Sequence, residues 1–201
     1  MLTLDHIAVG CERLEEGVAW VEDTLGAALQ PGGQHAYYGT HNALMHLGPN
    51  LYLEVIAKDP DAAPVGRPAW FGLDRFKGPP RLANWLCRAD DMTAYAAITG
   101  PAVPLSRRNL EWETTVPNDG SLPMDAGFPS LIRWATSAVP PPYVLPKTGC
   151  DLVSLTVTHP DADWLRETLT VEGPAVVFET GPAALSARIE TPSGLRTLGS
   201  V

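Results

Sequence analysis

With 201 residues and 45% apolar side chains, the chain is long enough to bury a sizeable core, as one domain or as two small ones. Its formal charge of −9 argues against nucleic acid or an anionic membrane surface as a partner, and no apolar run reaches the ~20 residues needed to span a bilayer. Cys11, Cys87 and Cys150 are odd in number and widely spaced, and no basic leader with an apolar h-region opens the chain; both features predict reduced thiols in a cytoplasmic protein.

Taken in order, residues 4–9 alternate as a strand, with Ile7 and Val9 on one face and Leu4, His6 and Ala8 on the other. A helix is predicted over 12–25, because Leu14, Val18, Val21 and Leu25 form one stripe of a 3.6-residue period and Gly26 supplies its stop. Strands follow at 27–30 (extending as far as 37), 41–47 and 51–57, punctuated by Pro31-Gly32-Gly33 and Gly48-Pro49-Asn50. Residues 1–60 therefore read β-α-β-β-β. Two ionisable residues sit among β-formers here, His6 on the first strand and Glu54 on the fourth, and each needs a partner, a proton or a metal. Tyr52 and Ile56 share the face of Glu54. Along the third strand His41 and Asn42 point to opposite faces, since neighbouring strand residues alternate.

Residues 61–81 continue a stretch rich in Pro, Gly and charge but carry Trp70-Phe71-Gly72-Leu73, which a mere linker does not need; they are read as an ordered loop packed back over the fold. Residues 82–135 repeat the pattern, with strands at 82–88, 103–108, 111–116 and 130–135 and a helix near 91–99. Residues 136–149, with Pro140-Pro141-Pro142, form a linker, and 150–201 read as a third, shorter β-α-β-β-β unit. The repeat is one of element order, not of identity. Residues 60–135 balance eight acids with eight bases in an otherwise acidic chain. Arg67, Arg75, Lys77, Arg81, Arg88, Arg107, Arg108 and Arg133 are either solvated and salt-bridged, or one or two of them meet an anionic ligand.

The strings Gly39-Thr40-His41-Asn42-Ala43-Leu44, Leu51-Tyr52-Leu53-Glu54-Val55-Ile56 with Asp59-Pro60, Trp70-Phe71-Gly72-Leu73-Asp74 and Leu82-Ala83-Asn84-Trp85 resemble the glyoxalase-like domain family of the vicinal-oxygen-chelate superfamily. The resemblance covers about residues 4–135. It implies an α+β fold of repeated βαβββ modules, forming curved mixed sheets around a concave cleft with helices on the outer face. It implies a divalent metal where two modules meet, each giving one ligand from its first strand and one from its fourth. His6 and Glu54 match the first pair. Aligning the helix starts puts Asn84 opposite His6, and aligning the fourth strands puts Arg133 opposite Glu54; the third unit offers Ser154 and Glu190. An arginine cannot ligate a metal, and two firm ligands fall short of the usual three.

Two functions stay open on the sequence. One is an enzyme of lyase, isomerase or dioxygenase type acting on a small carbonyl- or oxygen-rich metabolite. Glu54 would be its base or metal ligand, His6 its ligand or proton shuttle, and Asn42, Tyr52, Asn84, Arg133 and Trp70 would contact substrate. The other is a non-catalytic binder of a small anion that has lost half of the metal site, with Arg133 as a fork-shaped donor. Trp70, Phe71, Trp85 and Trp134 either line an apolar pocket or are plain core. There is no Gly-x-Ser-x-Gly elbow, P-loop, Gly-x-Gly-x-x-Gly or Cys-x-x-Cys. Three modules in a fold that closes clefts in pairs suggest a homodimer through the odd one.

Overall fold

The computed structural model of the protein describes residues 1–200. Its elements run β1 (Leu2–Gly10), α1 (Leu14–Leu25), β2 (Gln30–His35), β3 (Thr40–His46), β4 (Tyr52–Lys58), β5 (Arg81–Ala89), α2 (Ala96–Thr99), β6 (Ala102–Arg107), β7 (Leu110–Thr115), β8 (Ser130–Trp134), β9 (Asp151–Thr158), α3 (Ala162–Thr168), β10 (Val171–Glu172), β11 (Ala175–Glu179), β12 (Ala184–Thr191) and β13 (Gly194–Gly199). The fold is α+β and mostly strands. One mixed sheet has the order β2-β3-β4-β1-β5-β8-β7-β6, with β10 beside β1, and its end strands β2 and β6 come into contact, so it curls almost into a barrel. β1 and β5 pair antiparallel at its centre, and each pairs parallel with the last strand of its own unit, β4 or β8. The first two units thus close one cleft between them.

The helix α1 forms where the apolar stripe predicts it, ending on Gly26 in the left-handed conformation (φ 69°), whose N–H bonds Glu22 O. The expected second helix is only one turn long. Asp91 Oδ1 accepts from both the N–H and the hydroxyl of Thr93, and this local turn replaces the first helical turns. Pro31-Gly32-Gly33, expected as punctuation, lies inside β2, where a register shift between Pro31 and Gly33 absorbs the proline.

A second bulge governs the site. β1 pairs Leu4 with Cys87 and His6 with Leu86, leaving Asp5 as the extra residue. The alternation therefore changes phase at Asp5. Leu2 and Leu4 join Ile7 and Val9 in the core behind the sheet, whereas Ala8 faces the cleft. The sequence placement of Leu4 beside His6 is corrected accordingly.

The last unit forms its own sheet in the order β11-β9-β12-β13, in which β9 pairs parallel with β11 and antiparallel with β12. Its inner residues Leu155, Val157, Leu185, Ala187, Ile189 and Leu198 share one core with Ile7, Val9, Val21 and Trp85. It covers the back of β5, where the one-turn α2 leaves room. Its apolar face is thereby buried within the chain, which removes the pairing argument for a homodimer.

Candidate functional site

The cleft between the first two units is a recess of about 420 Å³. Its polar lining comes from His6 on β1, His35 on β2, Asn42 on β3, Tyr52 and Glu54 on β4 and Arg107 at the end of β6. Trp70, Phe71, Trp112 and Trp134 form much of the apolar wall. The 61–81 loop supplies the first two of these. Trp70 stacks between Tyr38 and Phe71, at 4.6 and 4.7 Å between ring centroids, and donates Nε1–H to Thr40 Oγ1 at 3.0 Å. The 136–149 segment adds Pro141, and Thr148 anchors it by donating to His46 O.

Because the bulge turns Asp5 inward beside its neighbour, Asp5 Oδ1 lies 2.6 Å from His6 Nδ1. The other carboxylate oxygen of Asp5 accepts from Trp134 Nε1 at 3.1 Å and stands 3.3 Å from Arg88 Nε. Nδ1 of His6 is thus held as a donor, and Nε2 is directed at Glu54 Oε2, 3.7 Å away, with the Tyr52 hydroxyl at 3.5 Å. The Tyr52 ring stacks on the imidazole at 4.2 Å. Burial alone would lower the His6 pKa, but hydrogen bonding and charge from Asp5 and Glu54 outweigh it and raise the pKa to about 9. His6 is therefore an imidazolium at neutral pH. Burial likewise pushes Glu54 up, yet His6, His35 and the Asn42 amide together hold its carboxyl below the usual range.

Asn42 joins this pair to the far wall. Its Nδ2 donates to Glu54 Oε1 at 2.6 Å, while its Oδ1 accepts from Gly33 N–H at 2.9 Å and from Arg107 Nη1 at 3.0 Å. His35 Nδ1 meets Thr40 Oγ1 at 3.0 Å, and its Nε2 faces two donors, Arg107 Nη1 at 3.5 Å and Asn42 Nδ2 at 3.4 Å. Two donors around Nε2 assign the proton to Nδ1. Burial first, then the charge of Arg107, lower His35 to about 4, so it stays neutral.

Of the residues expected from sequence, the structure brings together His6, Glu54, Asn42, Tyr52 and Trp70. Asn84 and Arg133 stand elsewhere. The antiparallel register pairs Ile7 with Trp85 and flanks that pair by His6–Leu86 and Ala8–Asn84, so Asn84 is the pseudo-twofold counterpart of His6. The parallel registers Ala8–Glu54 and Leu86–Ser130 make Ser130 the counterpart of Glu54. The alignment that chose Arg133 is off by three residues. Arg133 points out of the cleft, pairing with Glu113 and donating to Asp90 O. Asn84 is buried and spent on its own unit, donating to Ser130 Oγ at 3.1 Å and accepting from Trp85 N–H. Asp5, His35 and Arg107 were not singled out as site residues. The signals for Asp5 and Arg107 are a charged residue next to His6 and the basic middle of the chain, and His35, just before the Tyr37-Tyr38 turn, is open to either face on sequence.

The donor set bears directly on the implied metal. The four positions where the units meet are His6, Glu54, Asn84 and Ser130; the last two are neutral and bonded to each other. Among the described residues no three His, Cys, Asp or Glu side chains converge as a metal site. Ser154 and Glu190 lie on the other sheet. One imidazole and one carboxylate beside a guanidinium fall short of the three protein ligands of a catalytic divalent ion.

The sequence model described as the glyoxalase-like domain matches residues 4–171. No curated protein matches the chain. Among solved structures, a hypothetical protein from Staphylococcus aureus is 15% identical with a TM-score of 0.62, over 91% of this chain and 88% of that one. Methylmalonyl-CoA epimerase from Mycobacterium tuberculosis is 22% identical with a TM-score of 0.39, over 66% of this chain and 86% of its own. A variant of the Streptomyces coelicolor methylmalonyl-CoA epimerase, in complex with 2-nitronate-propionyl-CoA, is 20% identical with a TM-score of 0.41, over 70% of this chain and 100% of its own. The likeness to the Staphylococcus aureus protein concerns the fold.

Proposed function

The chain belongs to the glyoxalase-like domain family of the vicinal-oxygen-chelate superfamily, and from that premise we propose that its cleft performs proton transfer beside the carbonyl of a small, oxygen-rich metabolite. One observation carries this reading: a buried carboxylate, Glu54, kept ionised, faces a buried imidazolium, His6, across 3.7 Å at the cavity wall. Glu54 is the base that takes the proton from carbon. His6, fixed by Asp5, is the acid that donates from Nε2 to the developing enolate oxygen, supplying positive charge where a metal would otherwise stand. Asn42 holds Glu54 in place, and Trp70 with Phe71 excludes water, which strengthens both charges. The activity is of the isomerase or lyase kind. The cleft is complete within one chain, so no second copy is assigned a part. Three unpaired, buried cysteines support a reducing, cytoplasmic setting.

The test is exchange of the carbon-bound proton for deuterium, followed by NMR over a panel of small 2-oxo and 2-hydroxy compounds. Glu54→Gln and His6→Gln are each expected to lose about 10²-fold or more of the exchange that the wild type catalyses. Equal exchange by wild type and Glu54→Gln removes Glu54 as base. A second reading, a binder without chemistry, is favoured by both Glu54 oxygens already facing partners. It predicts binding of a panel compound with no exchange.

A further inference from the structure

Arg107 is half-buried in the cleft wall, yet among the described residues it forms no ion pair with a carboxylate. Only its Nη1 has protein partners there, Asn42 Oδ1 and His35 Nε2. The Nε and Nη2 edge, the fork that receives a carboxylate or a phosphate in two parallel hydrogen bonds, is left without one. The chain also makes space for this side chain. A Cβ on Gly33 would lie 2.8 Å from Arg107 Cδ and 3.2 Å from its Nε, so the arginine lies flat against a residue that has no side chain. The same Asn42 amide holds Arg107 through its oxygen and Glu54 through its nitrogen, fixing cation and base relative to each other.

From this we infer that Arg107 is the specificity-determining anchor of the cleft and that the substrate carries a carboxylate, or an oxyanion of like geometry, bound on the Nε–Nη2 edge. The substrate class is thereby narrowed to small 2-oxo or 2-hydroxy acids. This rests on the acid–base reading of Glu54 and His6 for its chemistry but not for its binding. Arg107 lies at the tip of the β6–β7 hairpin, paired with Leu110 across Arg108 and Asn109, and that tip leans on β2 where the sheet closes. A bound anion would therefore tie the two ends of the sheet together.

The experiment compares 2-oxobutanoate with its neutral isostere 2-oxobutanamide, read by titration calorimetry and ligand-observed NMR at millimolar concentration. The wild type is expected to prefer the anion by about tenfold or more. Arg107→Met is expected to lose that preference while keeping the wild-type melting temperature. Arg107→Lys, which keeps the charge but not the fork, is expected to retain only part of it, and Glu54→Gln to keep it in full. The inference is overturned if the wild type binds both probes equally or neither, or if the preference survives in Arg107→Met. Loss of deuterium exchange as a Glu54-dependent activity, with the anion preference intact, would sink the acid–base reading and leave Arg107 standing.

Discussion

At the scale of single residues, the two cleft histidines are tuned in opposite directions, and this sets how stability depends on pH. His6, with a folded pKa of about 9 against 6.5 unfolded, binds its proton more tightly in the fold. Its contribution is fully present below about 6.5 and lost as pH rises through 9. His35, at about 4 in the fold, must stay neutral, so stability falls as pH drops from 6.5 towards 4. Each flank amounts to something on the order of 3 kcal/mol. Glu54, held below the usual carboxylate range, adds its loss only at more acidic pH. Urea midpoints measured from pH 4 to 10 should therefore peak near 6.5. His6→Gln should flatten the alkaline flank alone and His35→Gln the acid flank alone; a profile that either variant leaves unchanged would contradict the assignment.

Among the elements, β2 shows how a stretch that looks like a strand breaker builds a site. Gly32 and Gly33 give up side chains so that Asn42 and Arg107 can enter from β3 and β6. The two positions differ in what a methyl group would meet. At Gly33 it meets the flexible arginine, so Gly33→Ala should cost about 1 kcal/mol or less and weaken anion binding. At Gly32 it meets the Asn42 side chain and, at 2.8 Å, the Asn42 backbone oxygen, so Gly32→Ala should cost ~1–3 kcal/mol in thermal or urea unfolding. Equal losses of stability in the two variants would refute this contrast. The same elements explain what the sequence made legible. Hydrophobic period and turn residues located α1, nearly every strand, and the face shared by Tyr52 and Glu54, because those segments keep an unbroken alternation. They misplaced Leu4 and missed Asp5 because a bulge is a pairing event between distant strands, with no mark in the local pattern. The loop before β8 hides the register, so the sequence points to Arg133 where the structure puts Ser130, and it shows Arg107 only as one basic residue among eight.

For the whole molecule, the decisive fact is that the second sheet shares the core behind the strands that carry the cleft. β5 packs on β12 and β13, and its antiparallel partner β1, which carries His6, sends Ile7 and Val9 into the same core, so anything that loosens the back sheet loosens the strand pair that holds His6. Phe178 on β11 is buried with its ring 6.3 Å from that of Trp85, and Trp85 in turn donates Nε1–H to Ala126 O, fixing the turn that leads into β8. Removing the Phe178 ring leaves a cavity between the sheets, and Phe178→Ala should cost ~3–5 kcal/mol. If the two sheets form one cooperative unit, hydrogen exchange should quicken to the same extent in β1 and β5 as in β9, and urea unfolding should stay a single transition. A separate third unit would lose protection only beyond residue 150, leaving β1 unchanged. The shared core argues for the first outcome. Trp85 and Ile7 lie within it, and the one turn of α2 is too short to cover them in place of the back sheet.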